Sequence, residues 1–168
     1  MANLLRSESI RQGGLGANLR LGGLRVRIYE LLRRKGFAVI TARPNATVLE
    51  VIGLLKEYNL GAVVISPDGR QVAGIVTERD IVRQLTEGTD FLDGPVSVIM
   101  TTQVRTVKPD ESVHDLMRLM SEHRVRHVPV VADQALLGIV SIGDVVKSRI
   151  GELEFERDQL SSYVSHTQ

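Results

Sequence analysis

The chain contains no cysteine and no tryptophan, and only three phenylalanines and three tyrosines. Without a thiol it has no disulfide framework, no thiolate metal site and no cysteine nucleophile, and a reducing, cytoplasmic compartment is the expected home. Long apolar runs are missing as well. Stretches such as Ala62-Val63-Val64-Ile65 are a few residues each, against the ~20 needed to cross a bilayer, so no membrane partner is expected. Net charge is nearly absent too, at +1. What is present is a globular composition, 43% hydrophobic and 24% charged over 168 residues, enough for one ordinary domain or two small ones.

The small net charge hides an uneven distribution. Residues 1–36 carry Arg6, Arg11, Arg20, Arg25, Arg27, Arg33, Arg34 and Lys35 against Glu8 and Glu30, so the remainder is net acidic. Such a start suits an organelle-targeting segment or a nucleic-acid arm. Without interleaved aromatics or a clear amphipathic period it reads first as a solvated tail, and a nucleic-acid partner is not expected. Gly14-x-Gly16-x-x-Leu19 lacks both the last glycine and the preceding strand of a dinucleotide fingerprint.

The strongest signal is internal repetition. Val39 to Ile65 lies over Val104 to Val130 at an offset of 65 without a gap, matching Thr41 to Thr106, Pro44 to Pro109 and Leu54 to Leu119. One residue is then lost, and Gly74 to Asp80 lies over Gly138 to Asp144 at an offset of 64. Each copy reads as strand, helix, strand, turn, strand, helix. In the first, Ala38 to Thr41 is a strand, Thr47-x-x-Glu50 has the spacing of a capping box, and Val48, Ile52 and Leu55 share a helix face. Gly61 to Ile65 and Gln71 to Val76 form a hairpin around Pro67-Asp68-Gly69, and helix resumes at Asp80. In the second, Ser112-x-x-Asp115 replaces the box, Val113, Leu116, Met117 and Met120 form the stripe, and His127 to Val131 is the middle strand.

A unit this small cannot cover its own sheet face, so the two copies are expected to cover each other. The predicted architecture is α/β (α+β): two repeats, each a three-stranded sheet with flanking helices, packed about a pseudo-two-fold axis. The boundaries are a basic extension over 1–24, repeat one over 25–86, a linker over 87–95, repeat two over 96–148 and an amphipathic helix over 149–168. That last helix, with Val146, Ile150, Leu153, Leu160 and Val164 at heptad-like steps, is expected to pack on its own repeats or on a dimer mate.

The repeated Gly-apolar-apolar-Thr/Ser-x-x-Asp carries chemistry. An apolar strand delivers Thr77 to a helix start, whose amides and dipole attract an anion. Asp80 offers acceptor oxygens to a vicinal diol, and Arg79 and Arg83 lie near enough to neutralise phosphate. Ser141, Asp144 and Lys147 repeat the design, although Ile142-Gly143 replaces Glu78-Arg79; Arg126 either supplies the missing charge or pairs at the surface. The plain alternative is that the hydroxyls and acids only cap helices.

Together with Val98-Ile99-Met100-Thr101, Arg126 to Val130 and Ser141 to Lys147, this motif resembles the cystathionine β-synthase-type (CBS) domain family, specifically stand-alone tandem pairs of bacteria and plant organelles. The resemblance implies a non-catalytic module that binds AMP, ADP, ATP or NAD, uses no catalytic cofactor, forms a homodimer and regulates a partner protein. It further implies Asp80 and Asp144 on ribose, Thr77 and Ser141 on ribose or phosphate, and Thr41 and Thr106 near the base. The backbones of Ala62 to Val64 and of Val128, Pro129 and Val130 would flank adenine. A ligand-free scaffold is the rival reading. An enzyme of the inosine-monophosphate-dehydrogenase kind is excluded because no segment has the ~200 residues of a catalytic barrel. His123 and His127 are set aside as metal ligands because the first should end a helix and the second begin a strand.

Overall fold

The computed structural model describes residues 3–4 and 26–165, with side chains over 26–158. Most of the basic extension, the Gly14 to Leu19 segment, and the side chains of Leu160 and Val164 lie outside the described residues. In chain order the elements are β1 (Asn3–Leu4), α1 (Ile28–Lys35), β2 (Ile40–Ala42), α2 (Val48–Glu57), β3 (Ala62–Ile65), β4 (Gly74–Thr77) and α3 (Glu78–Leu85). Two 3-10 turns, Asp90–Asp93 and Val96–Val98, lead to α4 (Val113–His123), β5 (His127–Ala132), β6 (Ala135–Ser141) and α5 (Ile142–Ser165).

Both predicted repeats are present. In the first, β2 runs parallel to β3 and β3 antiparallel to β4, with β1 adding an antiparallel edge to β2. In the second, β5 and β6 form the hairpin, and the first strand shrinks to one parallel bridge, Val107 to Val130. It stops there because the next amide, Lys108 N–H, donates to Glu111 Oε1 at 2.7 Å and Pro109 has no N–H to offer a ladder.

Local rules account for the element ends. Thr47 and Glu50 form the predicted capping box, with Glu50 N–H donating to Thr47 Oγ1 at 3.1 Å and Thr47 N–H to Glu50 Oε2 at 2.8 Å. Asp68 closes the β3–β4 turn by accepting from the amides of Arg70 and Gln71 at 2.8 Å each, beside Gly69 at φ 78°. Those two bonds hold its carboxyl below the usual range. The β5–β6 loop is only Asp133-Gln134, at φ 49° and 62°, the double left-handed geometry of a type I′ turn.

The core exchanges lead-in segments between repeats. Ile28, Leu31 and Leu32 of α1, which precede the first repeat, pack with Val107, Leu116 and Val140 of the second. Val96, which precedes the second, packs with Val48, Val63 and Val76 of the first. Backbone bonds fix both crossings: Ile28 N–H to Glu111 O at 3.0 Å, and Val96 N–H to Ala46 O at 2.7 Å. Close contacts do likewise, since a Cβ on Gly74 would sit 2.6 Å from Met100 Sδ and one on Gly138 2.8 Å from Leu32 Cδ2. The helix stripes differ from the sequence reading in detail. Val51 rather than Ile52 completes the fully buried row of α2, and Met117 is exposed, because positions 113, 116 and 120 already line the seam of α4.

Candidate nucleotide cleft

The turn from β4 into α3 is built as the motif suggested, with a difference in who uses the polar groups. Thr77 Oγ1 donates to Asp80 Oδ2 at 2.7 Å and accepts from Asp80 N–H at 3.3 Å, while Thr77 N–H donates to the same Oδ2 at 2.9 Å. Thr77 and Asp80 thus form a reciprocal capping box, worth ~0.5–2 kcal/mol to the helix. The Thr77 hydroxyl, expected as a donor to ligand, already has its proton on Asp80. Asp80 Oδ1 has no hydrogen bond among the described residues and is the oxygen left to accept from a diol. Glu78 N–H donates to Gly61 O at 3.2 Å, which leaves the Arg79 amide as the first-turn N–H without an acceptor among the described residues.

Facing this turn is a cleft of about 390 Å³. From the first repeat it is lined by Gly61, Thr77, Glu78, Arg79, Asp80 and Arg83, and from the second by Gln103, Arg105, His123, Arg124, Arg126 and His127. The antiparallel bridge between Ile75 and Thr101, with bonds of 3.0 and 2.9 Å, holds the Thr101 to Arg105 segment across the end of β4. Five arginines therefore face two carboxylates. None of the five is in an ion pair among the described residues. A site so rich in unpaired guanidinium groups is suited to an anion with several oxygens.

His127 opens β5 beneath this cleft, its ring in the space that Gly61 leaves; a Cβ there would come 2.9 Å from His127 Cε1. Burial, and then the positive charge of Lys35, push the His127 imidazole below its ordinary range. It is correspondingly more neutral near pH 7 than a free histidine. His123 closes α4 and His127 starts the next strand, as expected from the sequence. Among the described residues no group of three or more metal-binding side chains is assembled.

The second motif is built alike but differently occupied. Ser141 Oγ donates to Asp144 Oδ2 at 2.8 Å and accepts from Asp144 N–H at 3.2 Å, and Ser141 N–H donates to Oδ2 at 2.8 Å. Lys35 Nζ, from the last turn of α1, also lies 2.6 Å from Oδ2. Burial works against the Asp144 charge, but the bonds from Lys35 and Ser141 outweigh it and hold the carboxyl below its usual range.

Of the residues the sequence singled out, the cleft gathers Thr77, Arg79, Asp80, Arg83 and Arg126. Arg126 lines this cleft with the first motif, while its carbonyl accepts from Ile142 N–H at 2.8 Å at the start of the second motif's helix, the place of Gly61 that the repeat alignment gives it. It makes no ion pair among the described residues. Ser141, Asp144 and Lys147 lie at the other motif, Lys147 exposed. Thr41 is buried in β2 at 3% exposure, Thr106 is exposed, and Ala62, Val64, Val128 and Pro129 are interior strand residues. None of these six lines the cleft. Sequence reasoning missed Arg105, Arg124 and His127 as cleft residues, because the crossing that brings the second repeat over Thr77 has no local signature.

Comparison with known proteins fits this architecture at both repeats. The family profile described as CBS domain matches residues 29–87 and 96–151. The chain belongs to the CBS domain family. It is 37% identical over 146 residues to the mitochondrial CBS domain-containing protein CBSX3 of Arabidopsis thaliana, covering 82% of this chain and 71% of that one. Among solved structures it is similar to the CBS-domain containing protein ATU1752 of Agrobacterium tumefaciens. That likeness has a TM-score of 0.71 and 42% identity, over 74% of this chain and 99% of the other. It also resembles the CBS domain pair of protein MJ0100, solved in complex with 5′-methylthioadenosine and S-adenosyl-L-methionine. There the TM-score is 0.65 and the identity 28%, over 73% of this chain and 98% of that one.

Proposed function

We propose that this CBS pair is a non-catalytic regulatory module that binds an adenine ribonucleotide, AMP, ADP, ATP or NAD, in the cleft at Thr77. The observation that carries the reading is convergence: a free carboxylate oxygen on Asp80 and an unpaired first-turn amide from one repeat meet Arg105, Arg124 and Arg126 from the other. A ribose diol on Asp80 Oδ1 would direct the phosphates towards the arginines. The adenosine compounds held by the MJ0100 pair support the same ligand class.

Because the cleft is lined from both repeats, a ligand that touches both favours one relative arrangement of them, and that difference is what a partner protein would read. Chemistry is not part of the reading. Thr77 has its hydroxyl tied to Asp80 as a helix cap, the other lining hydroxyl, on Thr101, makes no hydrogen bond to a base among the described residues, and the lining holds no thiol or lysine.

Calorimetric titration with AMP, ADP, ATP, NAD and S-adenosylmethionine tests the proposal. Each added phosphate gains charge-assisted bonds of ~1.5–3 kcal/mol, so ATP should bind at least about tenfold more tightly than AMP. S-adenosylmethionine, whose sulfonium is a cation, should bind weakest. Absence of saturable heat with all of these ligands would leave a structural scaffold as the role of the pair.

A further inference from the structure

We infer that Lys35 closes the second motif, so that each chain takes nucleotide at the Thr77 cleft alone. The inference rests on the reading of Asp80 and Asp144 as ribose acceptors, and its evidence is the way the two motifs differ.

Leu32 packs on Gly138 just as Met100 packs on Gly74, which makes α1 and the segment after the second 3-10 turn equivalent under the pseudo-two-fold relation. Three residues beyond each contact stand Lys35 and Gln103. Gln103 lines the open cleft and makes no hydrogen bond to Asp80 among the described residues. Lys35 lies 2.6 Å from Asp144 Oδ2, with the two side chains 30% and 24% exposed. Like the cap, the ammonium takes Oδ2, and Asp144 Oδ1 has no hydrogen bond among the described residues. Lys35 closes the motif by balancing the charge that would otherwise recruit hydroxyl donors and by placing its ammonium beside the carboxylate that a ribose diol would need.

Lys35 is held there by its helix. Ile28 and Leu32 of α1 are fully buried, Tyr29 N–H donates to Pro109 O at 2.9 Å, and Gly36 N–H caps the helix on Leu32 O at 2.8 Å. The last turn of α1, where a cation is favoured by the dipole, is thus fixed beside the second motif. Among the described residues no cation reaches Asp80: Gln103, an uncharged amide, stands in that place.

The test is the number of sites. Wild-type chain titrated with ATP and with AMP should show one site per chain, Lys35→Gln should show two, and Lys35→Arg should keep one. The reciprocal Gln103→Lys should weaken binding at the Thr77 cleft at least tenfold, and it keeps the inference testable if the Lys35 variants fold poorly. Two sites in the wild type, or one site in a folded Lys35→Gln together with an unaffected Gln103→Lys, would overturn the inference and leave the nucleotide reading intact. No binding by the wild type would instead contradict the nucleotide reading itself.

Discussion

At the scale of single residues, Asp80 and Arg124 each serve two ends. Asp80 uses one oxygen to cap α3 and leaves the other clear, which is why Thr-x-x-Asp was legible in the sequence both as a cap and as a ligand motif. The two readings share one geometry, and the structure holds the cap already formed. Arg124 sits at φ 54°, and its counterpart one repeat earlier is Asn59 at φ 52°. Asparagine adopts this left-handed conformation readily, whereas an arginine there is strained by ~1–2 kcal/mol. A strained residue lining a cleft is the pattern expected where a side chain is retained for binding. Arg124→Asn should therefore raise the stability of the chain by ~1 kcal/mol, measured by urea denaturation, and weaken ATP binding about threefold to tenfold. A variant that loses stability, or binds ATP as before, would remove Arg124 from the site.

Among elements, the hairpin of the second repeat offers a clean check of turn chemistry. Asp133-Gln134 occupies a double left-handed turn that prefers Asp-Gly, so Gln134→Gly should stabilise by ~0.5–1 kcal/mol, seen as a rise in Tm of roughly 2–4 °C. A fall in Tm would show that Gln134 contributes more by packing than it costs in backbone strain. Turns, caps and strand order were legible because they depend on neighbours in sequence. The partners of helices were not. The row Ile28, Leu31, Leu32 announces a buried face, but only the chain crossing decides that this face meets Leu116 and Val140 rather than the repeat that follows it. The same crossing sets Lys35 on Asp144 and brings Arg105, Arg124 and His127 over Thr77.

Over the whole molecule, the exposed apolar side chains are concentrated on helices. Val146, Ile150 and Leu153 of α5 are 50%, 51% and 48% exposed, and Val82 and Leu85 of α3 are 61% and 44% exposed. Of the two partners the sequence allowed for α5, its own repeats leave this row uncovered. We expect a homodimer through these helices: light scattering at micromolar concentration should return twice the chain mass, and Ile150→Glu with Leu153→Lys should shift it to the monomer. A monomeric wild type would contradict that arrangement.

The account as a whole depends on one cleft binding one class of ligand through one carboxylate. The measurement that tests it most directly is a paired calorimetric titration of ATP into the wild type and Asp80→Ala, with circular dichroism confirming that both are folded. Losing the cap costs the variant ~1 kcal/mol of stability, and losing the ribose acceptor should weaken ATP at least about tenfold. If the folded variant binds ATP with the affinity and stoichiometry of the wild type, the nucleotide does not occupy the cleft at Thr77.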